Sequence, residues 1–375
     1  RCRRRSGLPW VTVSRPLALS VLDQSPVSEG QTAADALRHT VELARLADRL
    51  GYHRYWLAEH HGGGMIAGPS PEVLIGPVAA ATRRIRVGSG GVMLPHYSPL
   101  KVAESFGVLC SLFPGRIDLG VGRASGTDPL TAYALQRDRR DRAPDDFPQQ
   151  LAELLAHLGD GFPADHPFGR IAAFPEGVAQ PEIWLLGSSP QSALWAADLG
   201  LPYAFADFIN PRGPEIAGSY VERFRDSART PAATVAVGAW ALAADTEEEA
   251  RRLAASARLA FRRLRRGEPG PIPPVERAIE LLRAEGRDPL APSRGRRVVA
   301  ETLYIAPILR TTSWRIVLFP TPAGPLITTS LPGLLNVLHL FLDPVDGGLD
   351  VHHVPPDLGA VGLRGDRVGF PQHLL

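Results

Sequence analysis

Three short stretches and one arginine carry side chains able to do chemistry together. Glu59-His60-His61 sets a carboxylate beside two imidazoles and is followed by Gly62-Gly63-Gly64. Histidine is the side chain whose ordinary pKa lies nearest neutrality, so this stretch suits acid–base work or hydrogen-bond donation. Gly187-Ser188-Ser189-Pro190 opens a helix pattern directly behind a strand pattern. The first N–H groups of such a helix attract an anion, two hydroxyls add hydrogen bonds, and proline is at home in the first turn. Arg123 follows another strand pattern, where its guanidinium could grip the same anion in bidentate fashion. Gly88-Ser89-Gly90-Gly91 removes side chains at a third strand end and lets a planar ligand approach the backbone.

Each stretch has a plainer alternative. Ser188-Ser189 could simply cap a helix, Arg123 could sit on the surface, a histidine could bond to backbone, and the glycines could make a tight turn. Two other patterns are excluded. Adjacent histidines at a strand end point to opposite faces, and no H-E-x-x-H occurs, so no metal centre is expected. Gly120-Val121-Gly122 with Gly126 is spaced G-x-G-x-x-x-G and not as a dinucleotide fingerprint. Trp56, Trp184 and Trp240 read as core packing.

The elements that must position these groups alternate strand and helix. Strand patterns fall at 17–22, 53–57, 85–88, 117–121, 181–186, 201–206 and 233–243. Helix patterns fall at 32–50, 70–81, 99–112, 149–158, 190–199, 215–227 and 246–265, with Thr32 as an N-cap and Gly51 as a stop. The stretch 127–148 reads as a long loop with a helical turn. Seven successive βα units imply a parallel sheet, and approach the eight of a (β/α)8 barrel. In a barrel the site lies where strands end. Asp23-Gln24-Ser25, Glu59-His60-His61, Ser89-Gly90-Gly91, Gly120–Arg123 and Gly187-Ser188-Ser189 all fall at such ends.

Composition bounds the rest. The chain has 375 residues, with Lys+Arg 41 against Asp+Glu 39 and a net charge of +2, so no basic excess argues for nucleic acid or a membrane surface. No stretch is long and apolar enough to span a membrane. Two cysteines, Cys2 and Cys110, support neither a disulfide framework nor a zinc site and fit a reducing cytoplasm. Residues 1–16 read as a tail, 17–300 as the barrel, and 301–375 as an atypical C-terminal segment. Within that segment Trp314–Phe319 is the one good strand candidate and could supply the eighth strand. A shifted reading frame is the competing account of the segment.

Leu57–Pro69, Ile85–Pro95, Pro99–Glu104, Pro114–Arg123 and Ile183–Pro190 together resemble the bacterial-luciferase-like flavin-dependent monooxygenases, closest to the MsnO8-type oxidoreductases. The resemblance covers roughly residues 17–275. It implies a TIM barrel that binds reduced FMN at its C-terminal rim, with the deazaflavin F420 as the alternative. It implies catalysis by His60 with Glu59 beside it, and a non-proline cis peptide at Gly90-Gly91 against the flavin ring. It implies that Arg123 and Gly187-Ser188-Ser189 hold the flavin phosphate. Gly122 stands where the luciferases carry a reactive cysteine, so no thiol role carries over. The activity implied is oxidation of a small organic substrate with reduced FMN and O2. A separate flavin reductase and a homodimer are further expectations. The alternatives are an F420-dependent hydride-transfer dehydrogenase and a flavin-binding protein without turnover.

Overall fold

The computed structural model describes residues 18–62, 64–123, 127–136, 145–210, 212–242, 244, 246–291, 298–299 and 313–319. Seven strands follow one another as expected: β1 (Ala18–Asp23), β2 (Arg54–Leu57), β3 (Arg86–Met93), β4 (Ile117–Gly122), β5 (Glu182–Gly187), β6 (Tyr203–Ala206) and β7 (Thr234–Leu242). Two more come from the C-terminal part, β8 (Val298–Val299) and β9 (Ser313–Phe319). The helices are α1 (Ala33–Arg49), α2 (Pro71–Ala81), α3 (Pro99–Leu112), α4 (Pro129–Leu135), α5 (Phe147–Leu155), α6 (Pro190–Asp198), α7 (Gly213–Arg223), α8 (Glu247–Arg265) and α9 (Val275–Ala284).

Every pairing between these strands is parallel. β1 to β7 pair in sequence, and β9 lies between β7 and β1. Its register runs Ala18↔Arg315 to Val21↔Leu318 on one side and Thr234↔Ser313 to Trp240↔Phe319 on the other. The eight strands β1–β7 and β9 therefore close into a TIM barrel and leave no open edge between β7 and β1. β8 is a two-residue addition at the end of β7. The closing strand thus comes from the segment whose sequence looks atypical. The tail 1–16 and residues 320–375 lie outside the described residues.

Alternation along the strands builds two layers. Val21, Tyr55, Val87, Leu119, Ile183, Phe205 and Val235 point outward and join helix residues such as Ala44, Ile75, Phe106 and Leu151 in one large core. Leu22, Trp56, Ala58, Trp184, Ala204 and Ala236, from the strands and the residue following β2, form a second cluster and fill the barrel. Trp56 and Trp184 meet edge to face with centroids 5.3 Å apart, so their expected packing role is met inside the barrel.

Below the tryptophans the barrel is plugged by charge. Arg54 donates to Asp118 at 2.5 Å and to Glu182 at 2.7 Å, Arg86 Nε donates to Asp118 at 2.7 Å, and the Trp56 indole donates to Asp118 at 2.9 Å. Buried charges need this many partners to offset lost hydration.

Several boundaries differ from the sequence reading, each for a local reason. β3 does not stop before its glycines but runs through them to Met93, with a register shift between Gly90 and Val92. The loop after β4 holds a full helix, α4, whose N-cap Asp128 accepts from the N–H groups of Leu130 and Thr131. α5 starts at Phe147 and ends in a wide turn, Ala156–Asp160, kinked at Leu158 and Gly159. α9 is a helix beyond the seven helix patterns of the sequence, although Val275, Ala278, Ile279 and Leu282 recur at helical spacing and are all buried.

Candidate active site

The C-terminal ends of β2, β3, β4 and β5 lie side by side, so the groups picked from sequence gather at one rim. Glu59 follows β2 and is fully buried. One of its oxygens, Oε1, accepts from the Tyr97 hydroxyl at 2.9 Å and lies 2.8 Å from His61 Nε2. The other, Oε2, accepts from the Met93 N–H at 2.9 Å. The carboxylate therefore orients His61, not His60. Tyr97 and Met93 had no signal in the sequence, because Met93 meets Glu59 only where β3 ends beside β2, and Tyr97 only through the short turn Leu94–His96 that follows.

His60 is different. Its Nδ1 is buried and takes no hydrogen-bond partner among the described residues. Burial, and then the neighbouring His61, push its pKa down from 6.5 to about 4, so its imidazole stays neutral near pH 7. Among the described residues no group of three or more His, Cys, Asp or Glu side chains is arranged to hold a metal ion.

The loop after β4 covers this stretch. The Thr127 hydroxyl donates to the His61 carbonyl at 2.9 Å. Gly62 has φ +78°, and a Cβ there would meet Thr131 Oγ1 at 2.8 Å and Asp128 Oδ2 at 3.0 Å. Only glycine combines that backbone angle with so close a cover.

The peptide Gly90-Gly91 is cis, at the position the resemblance implied. A Cβ on Gly90 would meet Leu22 Cδ1 at 2.5 Å, and one on Gly91 would meet the Gly120 carbonyl oxygen at 2.8 Å. At the end of β4 the backbone is open instead: a Cβ on Gly122 would meet only Met93 Sδ, at 3.9 Å.

Arg123 is half exposed, pairs with Asp145 at 2.9 Å and lies over the Trp195 ring at 5.7 Å from the centroid. Trp195 belongs to α6, so the structure brings Arg123 to the helix that Ser189 opens. Ser189 is the N-cap, its hydroxyl accepting from the Ser192 N–H at 3.2 Å. Gly187 is held by packing, since a Cβ there would lie 2.2 Å from Ser192 Oγ, and its carbonyl accepts from the Tyr203 hydroxyl at 3.2 Å. The Ser188 carbonyl accepts from Asn210 at 2.7 Å. Among the described residues the Ser188 hydroxyl makes no hydrogen bond, so of the two serines it is the one with capacity to spare. Of the other strand ends, Asp23 is consumed internally: it accepts from Tyr55 and Thr40 hydroxyls at 2.7 Å each and from the Ser25 N–H at 2.8 Å.

These residues suit a flat ligand with one phosphate. Among the described residues they bring together a buried neutral imidazole whose Nδ1 has no partner, the Gly90-Gly91 backbone, open space beside Gly122, and a cation against the side of the helix that Ser189 opens. Comparisons with known proteins show the family. Residues 17–306 match the luciferase-like monooxygenase family. A luciferase-like monooxygenase of Escherichia coli (strain K12) is 46% identical over 263 residues, covering 69% of this chain and 76% of that protein. An N-acetyl-S-alkylcysteine monooxygenase of Bacillus subtilis (strain 168) is 51% identical over 194 residues, covering 52% of this chain and 58% of that protein. Among solved structures, apo-MsnO8 shares 37% identity and superimposes with a TM-score of 0.72 over 87% of this chain and 98% of that one. With the family matched over most of its length and the barrel closed as that family requires, the chain belongs to the luciferase-like monooxygenases and is an oxidoreductase.

Proposed function

We propose that this protein is a flavin-dependent monooxygenase that uses reduced FMN and O2 to oxidise a small organic substrate. Reduced FMN, when bound, supplies the electrons with which one oxygen atom of O2 passes to the substrate and the other leaves as water. The observation that carries the reading is His60: a buried imidazole nitrogen without a partner among the described residues, on the rim that also holds Gly90-Gly91 and Arg123. A buried polar atom left unbonded costs stability, and such a cost persists at sites that a ligand completes.

In this reading the chain binds, orients and shields. Arg123, the Ser188 hydroxyl and the first N–H groups of α6 hold the phosphate. Gly90 and Gly91 let the ring system lie against the backbone of β3. His60, neutral near pH 7, accepts or donates a hydrogen bond at Nδ1 beside the reacting atoms. The Trp56–Trp184 layer below and the Thr127–Leu135 cover above exclude water. The apolar barrel lining at this level, Leu22, Ala58 and Leu186, suits a substrate whose reacting part is uncharged. The alkylated sulfur of the substrate named for the Bacillus relative is of that kind. The buried free thiol of Cys110 fits a reducing cytoplasm, where a separate reductase would supply the flavin and a homodimer is the expected state.

The test is to mix the protein anaerobically with reduced FMN, admit O2, and follow the absorbance. Oxidation slower than that of free flavin, with FMN fluorescence quenched on binding, is expected. Oxidation at the free rate without quenching overturns the FMN assignment, and binding of F420 alone would replace it by hydride transfer.

A further inference from the structure

Glu59 is the hub of a cluster that the scheme above uses only in part. Its carboxylate is fully buried and collects three donors: the Tyr97 phenol at 2.9 Å, the Met93 N–H at 2.9 Å and His61 Nε2 at 2.8 Å. The phenol and the imidazole share one oxygen, Oε1. A buried carboxylate needs such donors to offset its lost hydration. Other titratable groups face the cluster from each neighbouring element. His60 lies beside His61 in the chain. The His96 ring, in the turn after β3, stands edge-on to His61 with centroids 6.3 Å apart. Glu72, in the first turn of α2, has its carboxyl pushed up by burial and by the charge of Glu59.

We propose that Tyr97 is a positioning residue: by donating its phenol proton to Glu59 Oε1 it keeps that carboxylate turned toward His61, and so holds the His60–His61 pair in place at the barrel mouth. The proposal rests on the assignment of His60 to the reacting ligand. Tyr97 suits the task because burial, with the charge of Glu59 added, raises its pKa well above the ordinary tyrosine value. The phenol therefore keeps its proton well above neutral pH. Oε2 is anchored to the backbone N–H of Met93, so the phenol settles which way the remaining oxygen faces. Phenylalanine at this position would keep the ring packing and leave Oε1 with His61 alone.

The test is solvent exchange of the His61 ring proton, followed by NMR on the full chain labelled with 15N-histidine. In Tyr97→Phe the His61 Nε2 proton should exchange at least tenfold faster than in the wild type. Glu59→Gln should have the same effect, and the double variant should exceed neither single one, since both substitutions break one chain of hydrogen bonds. Exchange in Tyr97→Phe within twofold of the wild type overturns the proposal, as do additive effects in the double variant. FMN fluorescence quenching by the wild type is read separately. Its absence would overturn the flavin assignment and leave the exchange result standing.

Discussion

His60 and His61 are neighbours with opposite fates. His61 is held by a buried carboxylate, whereas His60 Nδ1 makes no bond among the described residues. This difference has a pH consequence. The pKa of His60 falls from 6.5 to about 4 on folding, so between those values the unfolded chain binds the extra proton. Stability contributed through His60 is therefore lost as pH drops from about 6.5 toward 4, by roughly 2 kcal/mol at pH 5. A His60→Gln variant should lose about 2 kcal/mol less than the wild type between pH 7 and pH 5 in urea unfolding. Equal losses in the two proteins would show that His60 titrates normally and is not buried in this way.

At the scale of elements, the turn from β5 into α6 divides two adjacent serines between two tasks. Ser189 caps the helix, and among the described residues the Ser188 hydroxyl makes no hydrogen bond. Ser189→Ala should lower unfolding free energy by about 1 kcal/mol and leave FMN affinity within about twofold. Ser188→Ala should leave stability unchanged and weaken FMN about fivefold, the loss of one hydrogen bond. Titrations of both variants decide it, and a reversed pattern would assign the phosphate contact to Ser189. The approach of β3 to β4 is set by glycine. A Cβ on Gly120 would lie 2.3 Å from the Ser89 carbonyl oxygen and 2.9 Å from Leu186 Cδ1. Gly120→Ala should cost about 2 kcal/mol by forcing the strands apart. A variant with unchanged midpoint in thermal unfolding would mean the strands yield freely.

At the scale of the molecule, closure depends on a strand far along the chain. β9 pairs with both β1 and β7, and without it two strands would expose unpaired backbone at the centre of the barrel. A chain ended after residue 312 should lose cooperative unfolding and aggregate, as read by circular dichroism and light scattering. A soluble monomer with a sharp transition would show that β9 is dispensable. At the opposite end from the site, Arg54, Arg86, Asp118 and Glu182, from the adjacent strands β2 to β5, form an ionic plug centred on the buried Arg54 and Asp118. Those two buried charges are supportable only because the neighbouring strands bring partners to them.

Much of this was legible along the chain, because it depends on local pattern. Alternating strand and helix periods, the Thr32 cap, and the polar strand ends at Glu59–His61, Gly90-Gly91, Arg123 and Gly187–Ser189 follow from neighbours a few residues apart. The helix Val275–Ala284 was equally legible and was passed over, its four buried positions lying at plain helical spacing. Other features no local pattern contains. Which histidine Glu59 holds depends on Tyr97 and Met93, more than thirty residues on. Which serine has a free hydroxyl depends on the first turn of α6. That β3 runs through its glycines depends on how near β4 passes. Periodicity determined that strands and helices alternate as successive βα units, and roughly where the groups at the strand ends would gather. Only the folded ring, by bringing distant donors to one carboxylate, decided what each residue at that mouth is free to do.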